Sequence, residues 1–169
     1  RLSNLEVPVV CANYDFTGTP LEGQVQPYVI LEKAGVRIGV IGLLTDVHDV
    51  VDTHIADMLK YQNPVEVTQK YATLLKDQEG CKLVMCLTHL GFENEPYTDV
   101  ELAAAVTDVD VIVGGHSHTR LNEFKKVYNP FGEPVIVVQD GKWGKEIGKL
   151  SVTLKPGVLY EKYRQVASD

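Results

Sequence analysis

The stretch that most limits what this chain can fold into is Asp110-Val111-Ile112-Val113-Gly114-Gly115-His116-Ser117-His118-Thr119. Val111, Ile112 and Val113 form a short β-branched run with no polar face, as expected of a strand covered on both sides. Two glycines follow at once, and adjacent glycines weaken a fold unless a turn or a close backbone approach requires them. Two histidines one residue apart come next, so both imidazoles stand just past the strand end. In open α/β sheets that edge is where ligands bind.

The preceding residues repeat the pattern. Asn63-Pro64-Val65-Glu66 opens a helix, with Asn as N-cap, Pro in the first turn and Glu completing a capping-box pattern. Val67, Tyr71, Leu74 and Leu75 supply an apolar stripe, and Gly80 follows the helix end. Leu83 to Leu87 reads as a buried strand running into Thr88-His89-Leu90-Gly91, and Thr98-Asp99-Val100-Glu101 starts a second helix that carries Leu102, Ala105 and Val106. Residues 63–119 thus alternate helix, strand, helix, strand, which predicts two units of an α/β fold with parallel strands.

Upstream, Val7 to Asn13 reads as a first strand, and Pro27 to Leu31 with Val36 to Leu43 as a hairpin around Lys33-Ala34-Gly35. Thr45 to Tyr61 carries His48, Asp49, Asp52, His54 and Asp57, yet no strand end or glycine turn organises them, so they read as a solvated loop or irregular helix. Downstream the pattern turns antiparallel, with strands at 123–127, 135–139 and 147–154. The polar stretch from Tyr160 suits an edge strand or a severed connection. The expectation is one α/β domain over 1–155, a mixed sheet with an antiparallel flank, and a tail over 156–169.

A net charge of −7 argues against a nucleic-acid polymer or an anionic membrane surface as partner. An anionic small substrate stays open, because a bound metal reverses the local sign. Cys11, Cys81 and Cys86 form neither a metal pattern nor a disulfide framework. No apolar run approaches the roughly 20 residues of a membrane span. The chain opens on Arg1 and not on Met, so a cut or processed product is expected.

His89, His116 and His118 each follow an apolar strand, and adjacent parallel strands would bring His89 beside the His116/His118 loop. Imidazole is the commonest side-chain ligand of zinc and also suits manganese, iron and nickel. The bland alternative is three loop histidines bonded to nearby backbone; the glycine pair weighs against it. Three histidines alone would make a single zinc site with an open position. A two-metal site, its ions about 3.5–4 Å apart, would clamp a phosphoryl group but needs bridging and terminal carboxylates as well. Asp46 and Asp140 stand at strand ends, though each suits a turn equally well.

Cys86-Leu87-Thr88-His89-Leu90-Gly91 together with Val113-Gly114-Gly115-His116-Ser117-His118-Thr119 resembles the last two metal-binding motifs of the calcineurin-like metallophosphoesterases, and within them the 5′-nucleotidase branch. Pro8 to Asn13, Gly35 to Gly42 and Gly141 to Gly148 fit the same pattern, so the resemblance spans roughly residues 7–154. It implies a four-layer α/β/β/α sandwich holding two divalent metal ions (zinc, manganese, iron or nickel). His89 and His116 would ligate one metal and His118 the other.

The family's upstream Asp-x-His, Gly-Asp-x-x-Asp and Gly-Asn-His-Glu motifs have no counterpart here. Absent with them are the bridging aspartate, the asparagine ligand, the catalytic histidine and the separate C-terminal domain that stacks the nucleoside base. The expectation is half of a phosphoesterase domain with no catalytic residue of its own and inactive alone. Its core strands would need the missing half, a second chain or a partner copy to cover them. The whole protein would be a periplasmic or cell-surface phosphohydrolase in which metal-bound hydroxide attacks a phosphate ester, a nucleotide above all. The alternative is a degenerate, non-catalytic module kept for metal capture or for contacts in a homo-oligomer.

Overall fold

The computed structural model describes residues 2–48, 50–94, 96–155 and 158–167. Numbered in chain order, the strands are β1 (Tyr14–Asp15), β2 (Tyr28–Lys33), β3 (Val36–Leu44), β4 (Lys60–Tyr61), β5 (Leu83–His89), β6 (Val111–Val113), β7 (Lys125–Tyr128), β8 (Pro134–Val138), β9 (Glu146–Lys155) and β10 (Val158–Ala167). The helices are α1 (Thr53–Ala56), α2 (Pro64–Thr73), whose end widens into a π-helical turn over Leu74–Gln78, and α3 (Asp99–Ala105). Six strands form one sheet in the order β2-β3-β5-β6-β8-β7. Its four inner strands are parallel and the two edge strands, β2 and β7, run antiparallel to their neighbours. β9 and β10 form a separate antiparallel hairpin. No helix among the described residues is long and apolar enough to cross a membrane.

Local sequence explains the elements that place the sheet edge. Ala34 and Gly35, both at positive φ (50° and 76°), close the β2–β3 hairpin in the mirror-image turn that matches strand twist. Asn63 caps α2 by accepting from the Val65 and Glu66 amides at 2.9 and 3.4 Å. The α3 cap is reciprocal, with Thr98 Oγ1 accepting from the Glu101 amide and Glu101 Oε2 from the Thr98 amide, both at 3.2 Å.

Alternation along the strands divides the core. Val84 and Cys86 of β5 face α2 and α3 and pack with Ile41, Leu75, Leu102, Val106, Ile112 and Val137. Leu83, Met85 and Leu87 face the other way, where Leu83 and Met85 meet Val111, Ile136 and Val138. Leu150 and Val152 of β9 cover part of this second face. Leu87 nevertheless remains 44% exposed on it.

One expectation is revised. Val7 to Asn13 does not form a strand; it makes one parallel bridge, Val10 to Gln26. It then fills the β3 edge where β2 ends: the Ala12 amide donates to the Gly42 carbonyl at 2.8 Å. The buried Asn13 side chain donates to the Leu44 carbonyl at 2.7 Å and accepts from the Leu44 amide at 3.0 Å. A side-chain amide thus takes the place of a backbone pair, so no ladder continues. The expected antiparallel flank is present: β8 pairs antiparallel with β7, and on its other side it pairs parallel with β6. The chain leaves β6, forms the edge strand β7 and returns between the two, so β7 alone supplies the antiparallel partner.

The Thr45 to Tyr61 segment holds α1, capped by Asp52, and β4. His48 there contacts Asp46 at 2.5 Å and Asp57 at 3.7 Å in an exposed ion-pair group, as a solvated segment would; Asp49 lies outside the described residues. Two glycines of β3 separate soft from hard contacts. A Cβ at Gly39 would meet the flexible tip of Leu75 at 2.7 Å, whereas one at Gly42 would run into the Val10 backbone carbonyl. Gly39→Ala should therefore cost about 1 kcal/mol and Gly42→Ala about 3 kcal/mol or more. Urea unfolding of the two variants checks the order.

Candidate metal centre

Strand register gathers the histidines. β5 lies between β3 and β6, pairing Leu44 with His89 and Leu87 with Val113. His89 therefore ends its strand beside the loop that rises from Val113. The His89 and His116 rings stand edge to face, centroids 5.0 Å apart. His118 lies near enough to influence the ionisation of His89. All three sequence candidates thus meet at one edge of the sheet.

The two glycines serve close approach and not the turn. A Cβ at Gly114 would collide with the Asp99 carboxylate, and one at Gly115 would lie 3.1 Å from His89 Nδ1. The turn falls on the histidines themselves, at φ 76° for His116 and 57° for His118. Left-handed conformations at residues other than glycine cost on the order of 1 kcal/mol or more and persist where surrounding bonds over-determine them. Gln139 provides those bonds. Its Oε1 accepts from the Thr119 amide at 2.5 Å and from Ser117 Oγ at 3.1 Å, and its Nε2 donates to the Gly115 carbonyl at 3.1 Å. Ser117 Oγ also accepts from the Phe92 amide at 3.0 Å.

Burial, reinforced by the neighbouring His116 and His118, holds the His89 imidazole below its ordinary pKa. The ring is accordingly neutral at neutral pH and keeps a lone pair. No ring nitrogen of His89, His116 or His118 has a hydrogen-bond partner among the described residues, as donors reserved for a metal would be. No group of three or more His, Cys, Asp or Glu side chains among the described residues is arranged to hold an ion. Asp46 Oδ1 is bonded to His48, which holds its carboxyl below the usual range. Asp140 Oδ2 accepts from the Gly148 amide at 2.7 Å.

Sequence reasoning placed no role on Asp99 or Gln139. Asp99 is fully buried at the first turn of α3; its Oδ1 accepts from Thr88 Oγ1 at 2.5 Å and its Oδ2 has no partner. Burial pushes its carboxyl up to about 7, against the lowering effect of the Thr88 bond.

No family model matches the chain. A probable 5′-nucleotidase of Treponema pallidum is 33% identical over 94% of this chain and 28% of that protein. The crystal structure of a 5′-nucleotidase precursor from Thermus thermophilus superposes with a TM-score of 0.87 at 33% identity, covering 98% of this chain and 34% of that one. The calcineurin-like phosphoesterase YfkN of Bacillus subtilis shares the fold, with a TM-score of 0.73 at 23% identity over 98% of this chain and 57% of that structure. The chain thus spans about a third or less of the length of the 5′-nucleotidases it matches.

Asp99 gives a pH signature of known sign. Its folded pKa, about 7, exceeds the ordinary 3.8, so the folded state holds an extra proton between those values and loses stability as pH rises toward 7. His89, shifted downward, acts oppositely: its penalty applies in acid and is relieved above its ordinary pKa. Subtracting the Asp99→Asn variant cancels the histidine. In chelator, wild type should lose up to about 1.4 kcal/mol per pH unit relative to Asp99→Asn between about pH 5 and 7. Urea midpoints for both proteins across that range check it.

Proposed function

We propose that this chain, a segment of the 5′-nucleotidase and calcineurin-like phosphoesterase fold, forms one wall of a two-metal phosphomonoesterase centre acting on nucleotides. The observation that carries the reading is the convergence of His89, His116 and His118 at one sheet edge, their ring nitrogens without a hydrogen-bond partner among the described residues. His89 and His116 would hold one divalent ion and His118 the other, with zinc, manganese, iron and nickel all compatible with imidazole. Bound there, the ions would neutralise charge on the phosphoryl group and acidify water.

The chain's own residues bind and orient. His89 keeps its lone pair because burial disfavours its protonated form. Gln139 and Ser117 fix the backbone that presents His116 and His118. Asp99, bonded to Thr88, anchors the residue before His89. No catalytic acid or base is assigned to this chain, and the carboxylate ligands come from the remainder of the domain, on the same polypeptide or a second one.

The apolar sheet face supports that complement. Leu87, 44% exposed, lies on the same side of β5 as His89. Whatever buries it reaches the metal edge too, and covering such a side chain stabilises by about 1.5–3 kcal/mol. The family resemblance also supports a periplasmic or cell-surface location for the whole protein. The incomplete donor set among the described residues favours a second reading, a metal-capturing or interaction module without turnover.

Elemental analysis and phosphatase assays on the full natural protein separate the two. The enzyme reading expects stoichiometric divalent metal, hydrolysis of a nucleoside 5′-monophosphate, and for His116→Ala a loss of metal with kcat/KM down at least about 100-fold. Bound metal without hydrolysis supports the module. Metal retained in full by His116→Ala defeats the ligand assignment.

A further inference from the structure

The pairing of β5 with β6 ends at Leu87 and Val113, short of both His89 and His116. Beyond it, no backbone hydrogen bond among the described residues ties 114–118 to β5; the Gly114 amide donates to the Val138 carbonyl at 2.8 Å. Sheet pairing therefore does not set the separation of the two histidine-bearing segments. Two side chains cross the gap. Ser117 Oγ, just after His116, accepts from the Phe92 amide at 3.0 Å. Asp99 crosses it just before His116.

Asp99 is tied to both flanks of His89. Its amide donates to the Gly91 carbonyl at 2.8 Å, and its Oδ1 accepts from Thr88 Oγ1 at 2.5 Å. The Thr98–Glu101 capping box fixes the helix start that carries it. Its other oxygen, Oδ2, fills the place that a Cβ would take at Gly114. The side chain is fully buried, and Oδ2 has no hydrogen-bond partner among the described residues. A buried oxygen left without a partner costs stability. What this one does is abut the backbone two residues before His116.

We propose that Asp99 is a positioning residue, a strut between the end of β5 and the loop after β6 that sets the separation of His89 and His116. The proposal rests on the reading that these two histidines share one ion, and it deepens that reading. Rings held at a fixed separation bind an ion without first having to be ordered. Asp99 works through Thr88 and Gly114 and is not itself a ligand.

The test is the zinc affinity of the full natural protein, stripped of metal and titrated against a chromophoric chelator, with urea midpoints measured alongside. Asp99→Ala should weaken zinc binding about tenfold, the loss typical of a residue that orients metal ligands. Asp99→Asn keeps the shape of the carboxylate and its acceptor for Thr88, so it should restore most of that affinity. Gly114→Ala should also weaken binding, because its Cβ displaces Asp99. Adding Asp99→Ala to Gly114→Ala should then recover affinity, since the group that the Cβ strikes is gone. Should Asp99→Ala fail to fold, Thr88→Val, similar in shape and lacking only the hydroxyl that holds Oδ1, makes the same comparison. A residue serving the core alone would lower the urea midpoint and leave zinc affinity unmoved. That result, or losses that simply add in the double variant, overturns the strut. Zinc held in full by His116→Ala defeats the shared-ion reading beneath it.

Discussion

Two missing side chains hold the candidate centre together. At Gly114 the backbone passes so near the Asp99 carboxylate that no Cβ fits, and at Gly115 it passes close to His89 Nδ1. These approaches let the start of α3, the end of β5 and the loop after β6 occupy one small volume. The turn is thereby displaced onto His116 and His118, which adopt the left-handed conformation that glycine would have taken at less cost. Glycine in their places would relax the backbone but remove the two imidazoles on which the proposed metal centre rests.

The strain at the two histidines is sustained by a buried amide. Gln139, at the end of β8, satisfies the Thr119 amide, the Ser117 hydroxyl and the Gly115 carbonyl in one side chain. Its own burial would be costly without them, so loop and strand end are mutually required. Asn13 plays the same part on the other side of the sheet, replacing a strand residue at Leu44 and fixing where the Thr45–Val47 segment departs. Buried amides thus set both flanks of the edge where the histidines meet.

The histidine loop, the capped helices and the parallel strands were legible because each has a local signature. Thr98 and Glu101 announce α3, and the apolar run at Val111 announces β6. Val7 to Asn13 was misread as a strand because its composition is strand-like while its partner slot on β3 is mostly occupied by β2. The parallel setting of β8 was hidden because β7 and β8 look alike whether the hairpin adds at the edge or folds back inward. Asp99 and Gln139 were invisible as site residues since their roles depend on contacts with residues 11 to 24 positions away.

The incomplete donor set and the exposed Leu87 point to one physical cause. Alternation along β5 puts Leu87 and His89 on the same face, the one that β9 covers in part and on which Leu87 stays 44% exposed. An apolar sheet face and a cluster of imidazoles call for opposite chemistry, hydrophobic cover and hydrophilic charge. A second layer packed on this face answers both, since its apolar residues would bury Leu87 while its strand ends would project carboxylates toward the same edge. On the proposed reading, then, the interface that completes the core also completes the metal shell. Folding and site assembly become the same event, so a fault in that packing would register as lost metal binding before any ligand is altered.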